Sequence, residues 1–312
     1  MNTQTKDHGK FYEYMLIKGY TNSSAATSIR VVSYFTEWLV TQGIYELTEV
    51  SYSDALAFIQ YCNNKGTGKK TQVMYIRHLN HYYNFLRSEE GLKENPVAHI
   101  RIKGVKRKIL HDILTPEELD SIYKNYPTEV TVQPGKNMPP QEHNNLARKR
   151  NKVILGLLIY QGLHSGEIAS LKVSDVKLRE GKIYIPSKKR SNSRTLKLEA
   201  YQLFEIIDYI NDTRKKQLEK ASIQSDQLFF NRREAKKFFG MMQSMIGVIK
   251  QYNSQIKNLE QIRASVITHW VKIYDLRKAQ YLAGHRYVRT TEGYKQNNID
   301  DLKDDIKKYH PF

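Results

Sequence analysis

Three residues near the C-terminus carry the functional groups that phosphate chemistry uses, at fixed separations. In EQIRASVITHWVKIYDLRKAQYLAGHRYVRTTEGYKQN, residues 260–297, Arg263 begins an apolar helical run, Gly284-His285 ends a second, and Tyr294 follows nine residues after His285. Arginine offers a permanently charged fork of donors, histidine a donor or proton carrier, and tyrosine a nucleophilic oxygen. Each also has an ordinary reading: Arg263 as an ion-pair former, His285 as a capping group, Tyr294 as one of 22 tyrosines. A second stretch, YQGLHSGEIASL at 160–171, turns between two apolar helices, and His164 within it reads as an active-site group, a metal ligand or a bystander. Other chemistries lack their spacing. There is no GxxxxGK(S/T) phosphate loop, GxGxxG or HExxH, and the single cysteine, Cys62, removes intramolecular disulfides and any Cys-rich zinc site.

Charge narrows the choice. The chain carries 50 Lys+Arg against 32 Asp+Glu, a formal net charge of +18, which points to a polyanionic partner. Residues 1–105 are close to balanced, with twelve basic and nine acidic residues. By contrast Arg101, Lys103, Lys106, Arg107 and Lys108 fall within eight positions, and 177–197 holds eight basic residues against Glu180 alone. Focused patches favour phosphate contact over a diffusely basic surface. No apolar run approaches the roughly 18 residues that cross a bilayer, and no charged-then-apolar leader is present. The expectation is a cytoplasmic, nucleoid-associated protein with no membrane partner.

Hydrophobic spacing supplies the scaffold. Four helices are expected in the first hundred residues: about Lys6–Lys18; one after TNSSAATS with Ile29, Val32, Phe35 and Leu39 on one face; Ser53–Asn64 with Ala57, Phe58 and Tyr61 inward; and one after GTGKK carrying Val73, Ile76, Leu79, Tyr83 and Leu86. His78 and His81 share a face of the last and read as polar surface or DNA-facing groups. Residues 96–113, with Pro96, Gly104 and clustered charge, lack helical periodicity and read as a linker. Thr115-Pro116-Glu117-Glu118 then opens a new domain with an N-cap, a proline at the first helical position and acids in the first turn. Pro127–Gln141 reads as a long loop, Asn145–Tyr160 as a helix, and GKIYIPSKKRSNSRTLKL as a β-hairpin with a basic tip. The rest is mostly helical.

In order and spacing these motifs resemble the tyrosine recombinase, or phage integrase-type, family. E-Q-I-R stands where that family has an H-x-x-R box, L-A-G-H matches its L-G-H turn, and T-T-E-G-Y ends on its nucleophile. Gly162-Leu163-His164-Ser165-Gly166-Glu167-Ile168 matches its G-L-R-x-x-E-L box, and the four-helix unit looks like its core-binding domain. The resemblance implies a mainly α fold with a small β-hairpin or sheet in an α+β catalytic domain, two domains forming a C-shaped DNA clamp. Residues 1–95 would be a SAM-like DNA-binding domain, 96–113 a basic linker, and 114–312 the catalytic domain with a C-terminal tail.

By that resemblance Tyr294 is the nucleophile, Arg263 a phosphate clamp and His285 a donor to the phosphate. Lys189, five residues before Arg194, is the general acid for the leaving oxygen, with Lys188 its close competitor. The chemistry asks for these types: a phenol of pKa about 10 must lose a proton, the leaving 5′-oxygen must gain one, and phosphorane-like charge needs fixed donors. Covalent capture conserves the bond energy, so neither ATP, metal nor any other cofactor enters the scheme. Two positions depart. His164 replaces the first arginine, a donor whose loss is worth roughly 10²–10³ in rate; Arg190, Arg286 or Arg289 are candidates to compensate. Glu260 replaces histidine or lysine, and either accepts the tyrosine proton or, as slightly favoured, orients Arg263. DNA contacts are expected at Lys69, Lys70 and Arg77, along Arg101, Lys103, Lys106, Arg107 and Lys108, and at Lys188 and Arg190 on the hairpin. Double-stranded DNA is then the partner, bound by a monomer that assembles into a tetrameric synapse with accessory DNA-bending proteins. The activity is integration, excision or inversion of a mobile element. The alternatives are a degenerate recombinase-fold accessory protein and, more distantly, an RNA-binding scaffold.

Overall fold

A computed structural model describes residues 3–104, 111–129, 141–188, 191–230 and 235–295. The chain divides into two compact units, Met1–Ile109 and Leu110–Phe312. The first holds helices α1 (Thr3–Ile17), α2 (Asn22–Thr41), α3 (Tyr52–Asn64) and α4 (Lys69–Glu89). Their starts are written in side chains. Thr21 accepts the Ser24 N–H, and Ser51 and Asp54 close a reciprocal capping box before α3. The core is aromatic, with Phe11, Phe35, Phe58, Tyr82, Tyr83 and Phe85 all 2 % exposed or less.

Three expectations change here. On α3 the inward face is Ala55, Phe58 and Cys62, while Ala57 is exposed; the stripe runs one step out of the expected phase. His78 is half-buried, its Nδ1 2.7 Å from Ser28 Oγ across the α2–α4 contact, so it ties two helices together. The expected linker, 96–113, begins inside the first core, and the second core starts at the residue just after it. Val97 and Ile100 bury in the first core and Asn95 donates to Asn80 and Asn84, whereas Leu114 buries in the second core and bonds Ser265 and His269. Residues 105–110, with Lys106, Arg107 and Lys108, lie outside the described residues.

The second unit opens with α5 (Pro116–Lys124), where Thr115 is the N-cap, as the sequence indicates, and Glu118 completes a capping box with it. Then come α6 (Gln141–Ile159) and the one-turn α7 (Ser165–Ile168). Every residue of α6 from Asn151 to Ile159 is buried, making it the central helix. Its Lys152 is buried too and donates to the Tyr123 and Lys124 carbonyls at the end of α5, where a cation suits the helix terminus. A three-stranded antiparallel sheet follows: β1 (Val176–Lys177), β2 (Lys182–Ile185) and β3 (Arg194–Lys197), with Ile183 opposite Leu196 and Ile185 opposite Arg194. Period-2 alternation turns Ile183, Ile185, Leu196 and Arg194 to the core. Helices α8 (Ala200–Asp208), α9 (Arg214–Ala221), α10 (Ala235–Ile249), α11 (Leu259–Ile273), α12 (Leu276–Ala283) and α13 (Val288–Glu292) complete the unit. No described helix is long and apolar enough to cross a membrane.

Candidate active site

The turn before α7 places His164. Gly162 adopts φ +55°, and a Cβ there would meet the Trp270 ring at 2.7 Å, so the turn admits no side chain. His164 is the N-cap of α7: its Nδ1 accepts the Glu167 N–H at 3.1 Å, and Glu167 Oε2 accepts the His164 N–H at 3.1 Å. The H-x-x-E spacing is thus a capping box with imidazole in the place of a hydroxyl. A ring nitrogen that accepts a hydrogen bond carries no proton, which puts the proton of the neutral ring on Nε2. Burial lowers the His164 pKa, with Arg263, Lys188 and Arg194 reinforcing and Glu167 opposing the shift. The side chain is 41 % exposed, and its Nε2 lies 3.9 Å from Glu167 Oε1.

Glu167 is the electrostatic centre. Its side chain is fully buried and takes a two-pronged grip from the equally buried Arg194, Nη1–Oε1 at 2.8 Å and Nη2–Oε2 at 3.1 Å. Arg263 Nη1 stands 3.7 Å away on its other side. Burial alone would raise the Glu167 pKa; the bonds and charge of Arg194, with His164 and Arg263 behind, overcome it and hold the carboxyl down at about 2. Arg263, four residues into α11, also donates to the Gly162 and Ala283 carbonyls. It thereby joins the first turn to the end of α12; burial lowers its pKa, and Glu167 and the nearby Tyr294 oppose the shift.

The L-A-G-H turn supplies the opposite wall. Gly284 caps α12 at φ +69°, and a Cβ on it would come within 2.5 Å of Arg194 Cζ and closer still to Nη1. The same guanidinium donates from Nε to Leu282 O at 2.9 Å, so one arginine holds the hairpin, α7 and this turn together. His285 is buried, its Nδ1 2.9 Å from Thr291 Oγ1. Burial, then the Arg263 and Arg194 charges, push its pKa down to about 4. Its ring stacks on Tyr294 with centroids 5.6 Å apart and planes at 14°. The nine-residue spacing works because α13 and one turn bring the tyrosine back over the histidine, Tyr294 N–H bonding Thr291 O at 2.9 Å.

Tyr294, Arg263, His285 and His164 are therefore brought together, while the remaining candidates divide. Lys188 directs its Nζ to the Gly166 carbonyl, and burial lowers its pKa. Lys189 and Arg190 lie outside the described residues. Glu260 is exposed, with no hydrogen bond or ion pair among the described residues. The carboxylate that stands beside Arg263 is Glu167, at 3.7 Å, whereas Glu260, near the start of α11, is on the solvent side. Arg286 and Arg289 are exposed as well. The arginine that stands with the first box is Arg194, which the sequence motifs do not single out. Its signal is nonetheless present, an arginine on the inward phase of R-T-L-K, where a buried cation requires a buried anion. Lys69, Lys70, Arg77, Arg101 and Lys103 are all exposed on the first unit.

Residues 113–300 match the model of the phage integrase family, more than half of the chain. The chain is similar to tyrosine recombinase XerC of Bacillus pumilus, 26 % identical over 306 residues that cover 96 % of this chain and 95 % of the relative. Among solved structures it resembles the XerH site-specific recombinase bound to a palindromic difH substrate (TM-score 0.63, 18 % identity, 92 % of this chain and 79 % of the other). It also resembles a lambda integrase tetramer bound to a Holliday junction (TM-score 0.59, 15 % identity, 92 % and 78 %). The mainly helical fold with its small antiparallel sheet is that of these recombinases. The chain belongs to the phage integrase family, and at family level it is a DNA-binding recombinase of the tyrosine class.

Proposed function

We propose that this chain cleaves and rejoins duplex DNA through a 3′-phosphotyrosine at Tyr294, in the integration, excision or inversion of a mobile element. The observation that carries the reading is the meeting of three groups in one chain: Tyr294 stacks on His285 and lies within electrostatic reach of the Arg263 guanidinium. Arg263 neutralises a nonbridging oxygen while the phenol gives up its proton to solvent and its oxygen attacks phosphorus, and His285, neutral at pH 7, donates a second hydrogen bond. The P–O5′ bond breaks as a hairpin lysine, Lys189 or its neighbour Lys188, protonates the leaving oxygen. Rejoining is the reverse, with the 5′-hydroxyl attacking phosphorus and the phenol leaving.

His164 contributes a single neutral donor, Nε2–H, in place of a charged fork. Basic residues flank the chemistry: Lys69, Lys70, Arg77, Arg101 and Lys103 grip the DNA backbone, with Lys106, Arg107, Lys108, Lys188 and Arg190 in the same role. Two domains closing on the duplex as a clamp, a free monomer, a tetrameric synapse on paired sites and DNA-bending accessory proteins belong to the same proposal.

A suicide duplex, nicked so that the cleaved strand cannot be rejoined, tests this. Wild type accumulates a covalent protein–DNA adduct and Tyr294→Phe forms none. Wild type that binds duplex DNA yet forms no adduct across sites and pH favours the second reading, a DNA-binding accessory protein on a recombinase fold. The neutral His164 and exposed Glu260 are the features that support that reading.

A further inference from the structure

The hairpin tip holds a polar group that none of these roles uses. Ser191 is 93 % buried, at 7 % relative exposure, and its Oγ has no hydrogen-bond partner among the described residues. An unbonded buried hydroxyl destabilises a fold, and such a group in a native protein calls for an explanation. The backbone says which way it faces. Ser191 forms an antiparallel bridge with Lys188 on one side and with His285 on the other. The Lys188 pair exchanges two hydrogen bonds, N to O at 2.9 and 3.1 Å, and Asn192 N–H bonds Gly284 O at 3.0 Å.

Residues directly opposite in an antiparallel bridge project their side chains to the same face. The two neighbours identify that face. Lys188 sends its amine to the Gly166 carbonyl in the first-box turn, and His285 lays its ring on Tyr294. Ser191 stands between them on the side where the phosphate would lie.

We infer that Ser191 is a further catalytic residue, its hydroxyl donating a hydrogen bond to a nonbridging oxygen of the scissile DNA phosphodiester beside His285. A buried oxygen with no internal partner is then a donor kept for the substrate. It partly replaces the donor missing at His164. The inference rests on the reading of Tyr294 as the nucleophile.

Ser191→Ala in the full chain tests it. Adduct formation at saturating suicide duplex falls about 100- to 1000-fold, the loss expected for one oriented donor. Duplex affinity stays the same and the thermal midpoint is unchanged or raised, because no internal bond is lost. An adduct rate within about twofold of wild type, far below the effect of such a donor, overturns the assignment while leaving the Tyr294 reading intact. A thermal midpoint lowered by several degrees shows a hydroxyl already bonded within the fold, and overturns it whether or not wild type cleaves DNA.

Discussion

Replacing Gly284 by alanine inserts one methyl group at the point where the site is most tightly closed. At φ +69° an L-residue costs about 1–2 kcal/mol in backbone strain. The added Cβ would lie 2.5 Å from Arg194 Cζ, so the guanidinium must retreat by about 1 Å to reach ordinary van der Waals separation. It cannot do so and keep its 2.8 and 3.1 Å bonds to Glu167 and its 2.9 Å bond to Leu282 O. Disrupting a buried pair costs about 3–5 kcal/mol. The expected total, about 4–7 kcal/mol, is a large part of a domain's stability and corresponds to a fall in Tm of roughly 10–20 °C for a unit of this size. Thermal unfolding of the single and double variants separates the two contributions. In an Arg194→Ala background the clash is absent and Gly284→Ala costs only the backbone strain, so the cycle yields a coupling of about 3 kcal/mol or more. Equal costs in both backgrounds would refute the close approach of Gly284 and Arg194.

Other consequences follow from the same geometry. His164→Arg removes the cap acceptor of α7, a loss of about 0.5–2 kcal/mol, and adds a third guanidinium around a carboxylate that Arg194 and Arg263 already neutralise. Both Tm and adduct rate are expected to fall, and a rate above wild type would show that the site still accommodates the family's charge. His285, whose pKa is pushed down to about 4, and His164, also lowered, make stability acid-sensitive. Unfolded histidine binds a proton near pH 6.5, so stability is full above that value and falls as pH drops toward 4, by about 3 kcal/mol for His285. A Tm that stays flat from pH 7.5 to 4.5 contradicts this. Glu260→Ala leaves stability within about 0.5 kcal/mol, as for an exposed unpaired surface group, and leaves adduct formation near wild type; a large rate loss would restore Glu260 as the base. Lys69→Ala with Lys70→Ala reduces the slope of log affinity against log salt by about 0.9 for each phosphate that a lysine no longer neutralises.

What sequence alone can reach is decided by how local each feature is. The His285–Tyr294 pair lies within one short helix and its turn, so the resemblance of that local motif to the family's reaches both residues. The Thr115 N-cap and the inward stripes of α2 and α4 are legible for the same reason. The Glu167–Arg194 pair is not, because its members are 27 positions apart and meet only once β3 has docked against the α7 turn. The H-x-x-E spacing does announce a capping box, but imidazole is an unusual N-cap and draws attention to catalysis instead. Val97 and Ile100 are hidden by the prolines, glycines and charges around them, which mask two apolar anchors. Ser191 acquires a direction only through the bridge to His285, which no local pattern encodes.

The double duty of one imidazole also bears on what position 164 can hold. Arginine at position 164 offers donors to a phosphate but no acceptor for the Glu167 N–H, and serine or aspartate closes the helix but reaches less far. Histidine holds an acceptor and a donor on opposite edges of a single ring, so at position 164 it can close the cap and, in the proposed function, face the phosphate as well. An arginine introduced at this position therefore starts from a loss of structure, the open N-cap of α7.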